Sequence, residues 1–93
     1  MSLHVHKYGG TSVGTAEKIK GVAKKLVQEK KSTQHDLVVV VSAMSGETNR
    51  MTELAKQMQR SPSAKQMDVL LSTGEQVTIA LLCMALEELG QEA

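Results

Sequence analysis

Lys7-Tyr8-Gly9-Gly10-Thr11-Ser12-Val13-Gly14 joins a short apolar strand to an amphipathic helix. A lysine, two glycines and two hydroxyls at such a join suit a polyphosphate. Glycine lets backbone N–H groups approach the anion, the helix N-terminus adds a favourable dipole, and the lysine supplies a point charge. The same composition also makes an ordinary turn, with Thr11 and Ser12 as local caps and Lys7 in solvent. A second segment, Ser42-Ala43-Met44-Ser45-Gly46-Glu47-Thr48-Asn49, offers the hydroxyls of Ser42, Ser45 and Thr48 and the Asn49 amide to a small polar substrate. Ser45 and Thr48 fit equally well as caps of a following helix. A third, Ser72-Thr73-Gly74-Glu75, brings a carboxylate to a helix start, and Ser72 to Glu75 or Thr73 to Gln76 also fits a capping box.

Several other chemistries are disfavoured by the residues present. Gly9 to Gly14 has the glycine spacing of a Walker A loop, but Thr15 stands where that motif needs its lysine, and no G-x-G-x-x-G occurs. His4 and His6 alternate on a strand and His35 falls in a turn, with no cysteine or carboxylate at ligand spacing, so no metal-binding residue is expected. Cys83 lies in an apolar run and reads as a small buried hydrophobe.

The elements that must position these groups follow from periodicity. Leu3 to Tyr8 alternates weakly and reads as a strand, followed by a loop over residues 9–14. Thr15 is a fitting N-cap for a helix to about Lys31, whose apolar positions Ile19, Val22, Ala23, Leu26 and Val27 recur at helical spacing. Lys18, Lys20, Lys24 and Lys25 then form a solvated face. Leu37-Val38-Val39-Val40-Val41 is a β-branched run of the kind buried on both faces of a parallel sheet. A helix with Met51, Leu54, Ala55 and Met58 on one face comes next, broken at Ser61-Pro62-Ser63, with Pro62 suited to the first turn of its successor. The last third reads as helix, interruption at residues 72–75, and a second helix from Glu75 to about Leu89, apolar nearly all round and closed by Gly90. The fold class is therefore α/β, a partial three-layer α-β-α sandwich with two parallel strands and three to four flanking helices. In such sheets ligands bind outside the carboxyl ends of the strands, so the first two loops should line one site.

Ninety-three residues make at most one small domain. The formal charge of +1 is spread along the chain and Tyr8 is its one aromatic residue, which argues against a nucleic-acid partner. The longest apolar run, Ile79 to Leu86, is too short for a bilayer span of about 20 residues, and no signal peptide is visible. No intrachain disulfide is possible, and the chain reads as cytoplasmic, without a membrane partner. Two strands are too few to stabilise a sheet alone, so self-association or a homo-oligomer is expected.

Taken together, the three segments resemble the aspartokinases, within the amino-acid kinase superfamily. Lys7 to Val13 is similar to the family's N-terminal signature, Val40 to Asn49 to its second motif, and Leu71-Ser72-Thr73-Gly74-Glu75-Gln76-Val77 to its third. The resemblance implies an amino-acid kinase fold and ATP-dependent phosphorylation of the side-chain carboxylate of L-aspartate, which leads to lysine, threonine and methionine. It assigns Lys7 a catalytic role and places Lys7, Gly9, Gly10, Thr11 and Ser12 at the ATP phosphates, with Mg²⁺ bridging them. Ser42, Thr48 and Glu75 would face the aspartate. It further implies that residues 1–93 are the N-terminal part of a catalytic domain, with the rest of that domain and regulatory ACT domains outside it, and no activity of their own. The rival readings are a non-catalytic nucleotide-binding or assembly module, and another kinase of the superfamily.

Overall fold

Two parallel strands form the sheet, β1 (Leu3–Tyr8) and β2 (Asp36–Val41), paired from Leu3 opposite Asp36 to Tyr8 opposite Val41. A computed structural model describes residues 2–93, with β1 and β2 joined by α1 (Ala16–Thr33) and followed by α2 (Glu47–Met58) and α3 (Ala64–Glu88). Helix α1 begins where the sequence places it. Thr15 Oγ1 accepts from the Lys18 amide at 3.2 Å, and all five apolar positions picked out by spacing are buried. The helix runs two residues beyond Lys31 and stops at Gln34, which is left-handed (φ 60°) and donates its amide to the Lys30 carbonyl.

The core is one cluster. Ile19, Val22, Ala23, Leu26 and Val27 of α1 meet Val41 of β2, Leu82 and Leu86 of α3, and Val13 from the loop after β1, with Tyr8, Leu37 and Val39 packed against them. Helices α1 and α3 thus cover one face of the sheet. The expectation that β2 is buried on both faces does not hold for this chain: Val38 and Val40 are 45% and 46% exposed, and on β1 Leu3 and Val5 are 63% and 65% exposed. Strand alternation places these four residues on the opposite, uncovered face.

The last third differs most from the sequence reading. Residues 72–75 do not interrupt anything; α3 is one helix of 25 residues. The hydroxyls expected to cap a new helix bond backwards instead, Ser72 Oγ to the Val69 carbonyl at 2.8 Å and Thr73 Oγ1 to the Leu70 carbonyl at 2.6 Å, as helix-interior hydroxyls do. Pro62 precedes the N-cap rather than occupying the first turn: Ser63 is the cap, its Oγ accepting from the Gln66 amide. The far end closes as expected at Gly90 (φ 85°), where the Gly90 amide reaches the Glu87 carbonyl and the Gln91 amide the Leu86 carbonyl, a Schellman pair.

Unbroken, α3 is long and apolar enough to cross a bilayer, with a mean hydropathy of 1.7 over its best 18 residues, which the eight-residue run did not reveal. It nevertheless lays a stripe of Gly74, Thr78, Leu82 and Leu86, four residues apart, into the protein. Thr78 in that stripe is fully buried and satisfied by the Gly74 carbonyl.

Candidate functional site

The loop after β1 is a tight turn in which the Ser12 and Val13 amides both donate to the Gly9 carbonyl, at 3.0 and 3.3 Å. Val13, fully buried, nails the loop to the core. Lys18 was read as part of a solvated face, but its Nζ reaches back to donate to the Thr11 carbonyl at 2.9 Å and clamps the turn from the first coil of α1.

The loop after β2 continues the ladder for one more bond, from the Ser42 amide to the Tyr8 carbonyl at 3.1 Å. It then turns into α2 through Gly46, whose φ of 83° favours glycine. Gly46 is itself the N-cap, and no side chain caps α2. Neither Ser45 nor Thr48 takes the capping role allowed for them, and among the described residues their hydroxyls have no hydrogen-bond partner. The two loops touch because small residues leave room. A β-carbon on Gly14 would fall 2.9 Å from both the Gly10 carbonyl oxygen and Ser45 Cβ, and one on Gly10 would lie 3.3 Å from the Ala43 carbonyl oxygen.

Between the loops and α3 lies an open cleft of about 460 Å³, lined by Gly10, Thr11, Ser42, Ala43, Met44, Ser45, Gly46, Thr48, Asn49 and Glu75. Seven residues singled out in the sequence, Gly10, Thr11, Ser42, Ser45, Thr48, Asn49 and Glu75, therefore come together from three separate segments. Glu75 arrives there from the interior of a helix rather than from a helix N-terminus, which corrects the capping-box reading. Gly9, Ser12 and Lys7 do not line the cleft. Lys7 shares the alternation of Leu3 and Val5, so it lies exposed on the uncovered face of the sheet. Ala43, Met44 and Gly46 add lining the sequence reading did not assign; their place in one tight turn after a strand was the available signal.

Chemically the cleft is an array of hydroxyls and an amide, with a carboxylate on one wall and an uncapped helix start on another. The first-turn amides of α2 and its dipole favour an anionic group. The Glu75 carboxylate accepts hydrogen bonds only and suits an ammonium. Arg50, on α2, is paired with Glu47 at 2.9 Å, and that hydrogen bond and the adjacent negative charge raise its pKa above the ordinary value. Among the described residues no cluster of three His, Cys, Asp or Glu side chains could hold a metal. A divalent ion held by phosphate oxygens and water would need no such cluster.

The sequence profile of the amino acid kinase family matches residues 2–93. The chain is 58% identical to the aspartate kinase Ask_LysC of Stutzerimonas stutzeri and 53% identical to aspartokinase 2 of Bacillus subtilis. Both alignments take in 100% of this chain and 22% of the relative, so the chain spans about a fifth of the length of these curated proteins. Among solved structures, the aspartate kinase from Synechocystis superposes with a TM-score of 0.95 at 50% identity, over 99% of this chain and 16% of that one.

Proposed function

Because the chain belongs to the amino acid kinase family, we propose that it forms the N-terminal part of the catalytic domain of an aspartate kinase, the enzyme that makes 4-phospho-L-aspartate from L-aspartate and ATP in lysine, threonine and methionine synthesis. One observation carries the reading: a single cleft collects Gly10 and Thr11, Ser42 and Thr48, and Glu75 from three distant segments. The likeness of this whole chain to one part of known aspartate kinases supports it.

In this reading the first loop takes the ATP phosphates. The amides of Gly9 and Gly10 approach the oxygens, Thr11 and Ser12 stand beside them, and Lys7 brings its ammonium round from the open face of the sheet. Mg²⁺, when bound, neutralises charge on the phosphates. L-Aspartate lies between Ser42, Thr48 and Glu75, its ammonium on the Glu75 carboxylate and a carboxylate towards the amides at the start of α2. An oxygen of the side-chain carboxylate forms the new bond to the γ-phosphorus while the bond to the β-phosphate oxygen breaks and ADP leaves. That carboxylate is already ionised at neutral pH, so no base is needed. The protein's task is positioning and charge neutralisation.

Glu75 also favours an aspartate-type substrate over a phosphate acceptor that lacks an ammonium. The buried stripe of α3 and its Glu75 and Gln76 side chains support a helix at home in protein rather than lipid, and so a cytoplasmic enzyme. The uncovered sheet face supports self-association. ADP release on mixing the full-length enzyme with ATP, Mg²⁺ and L-aspartate tests the proposal. Turnover with L-aspartate, but none by residues 1–93 alone, is expected; turnover with acetylglutamate instead would overturn the substrate.

A further inference from the structure

Glycine in a helix interior costs about 1 kcal/mol relative to alanine, yet Gly74 stands eleven positions into α3 and is buried. Its surroundings account for it. A β-carbon built there would meet Met51 Cε at 2.7 Å, Ala43 Cβ at 3.0 Å and Glu47 Cβ at 4.0 Å. These neighbours differ in kind. Met51 Cε is the free end of a flexible side chain and can swing aside, although the Met51 sulfur lies 3.4 Å from Thr73 Oγ1. Ala43 Cβ is fixed to the backbone of the second loop and is itself buried, so any approach from α3 must move the loop.

The two contacting residues each adjoin a residue of the cleft. Gly74 precedes Glu75, and Ala43 follows Ser42. Whatever separates the helix backbone at 74 from the loop backbone at 43 therefore sets the distance across the cleft from the Glu75 carboxylate to the hydroxyl-bearing wall. We propose that Gly74 is a positioning residue: by letting α3 lie directly on the second loop, with no side chain of its own between them, it fixes the width of the cleft and hence its fit to a small amino-acid substrate. This inference rests on the reading of the cleft as the L-aspartate site.

The test is steady-state kinetics on the full-length enzyme with Gly74→Ala. A loop displaced by a fraction of an ångström should raise the KM for L-aspartate roughly three- to tenfold, with the KM for ATP unchanged within about twofold. Thermal stability should hardly fall, because alanine's better helix propensity offsets the tight contact. Adding Ala43→Gly returns a single β-carbon to the gap, and the double variant should show an aspartate KM below that of either single variant and close to the starting value. An aspartate KM that does not move, an equal rise for ATP, or no rescue overturns the inference, since a glycine that served packing alone would lower the yield of active enzyme and leave both KM values alone. If Gly74→Ala does not fold, Ala43→Gly by itself serves: widening the gap must raise the aspartate KM and spare ATP. Hydrogen exchange of the peptide covering residues 42–49 separates this inference from the substrate reading. An enzyme inert towards L-aspartate overturns the substrate, whereas unchanged exchange in Gly74→Ala overturns the positioning role whatever the substrate.

Discussion

Glu75 and Lys7 divide the proposed chemistry between them, and their surroundings give each a distinct expected signature. The Glu75 carboxylate lines the cleft. Removing the partner of a substrate ammonium costs about 1.5–3 kcal/mol, so Glu75→Ala should raise the KM for L-aspartate roughly 10- to 100-fold with less effect on kcat. Unchanged aspartate kinetics would show that Glu75 is only a helix residue. Lys7 lies on the uncovered face at the end of β1, outside the lining of the cleft. A charge that reaches the phosphates as they react should act mainly on turnover, so Lys7→Ala is expected to lower kcat by roughly 100-fold or more and to leave the aspartate KM near its starting value. A loss confined to KM would move Lys7 out of the catalytic role. At this scale the sequence spoke clearly about residue types and less clearly about directions. Gly10, Thr11, Ser42, Thr48 and Glu75 converge because they follow strand ends or face them, whereas the placement of Lys7 follows from alternation along β1, which the loop motif alone does not express.

The elements were legible where local signals and packing agree. Residues 3–8 were bounded by alternation on one side and by Gly9-Gly10 on the other, and the five apolar positions of α1 with the Thr15 cap gave its start and its buried face. The reading failed at residues 72–75. Ser-Thr-Gly-Glu satisfies a capping box locally, and what keeps α3 continuous is tertiary: the glycine is needed because Ala43 and Met51 press on it, not because the chain turns there. Gly90, by contrast, is a true terminator. Its φ of 85° is costly for any residue with a β-carbon, and Gly90→Ala should destabilise the chain by about 1 kcal/mol. For a chain of this size that corresponds to a fall of about 4–8 °C in Tm by calorimetry or circular dichroism. An unchanged Tm would mean that the Schellman closure at Leu86 and Glu87 contributes nothing to stability.

The whole molecule exposes more than a self-sufficient chain of its size. Its accessible surface is 6533 Å², against roughly 5,200 Å² for a compact monomer of the same mass, and its radius of gyration is 15.6 Å against about 12 Å. The surplus is comparable with the area one partner loses in a large protein interface. Much of it is apolar, on the open sheet face at Leu3, Val5, Val38 and Val40 and along α3 at Val77, Ile79 and Met84. Residues 1–93 alone should therefore gain mass with concentration in sedimentation velocity, and Val38→Lys with Val40→Lys should suppress the gain. A monodisperse monomer at high concentration would rule this out. The β-branched run of β2 announced a strand fit for burial on both sides, but no sequence pattern says which layer supplies the second side. The unbroken α3 has one more consequence. With no joint between Glu75 and Glu88, the two are held about 20 Å apart on a single rod. A tilt of that rod about its seat at Leu82 and Leu86 must carry the Glu75 carboxylate with it, so the hydrophobic core and the cleft cannot be adjusted independently.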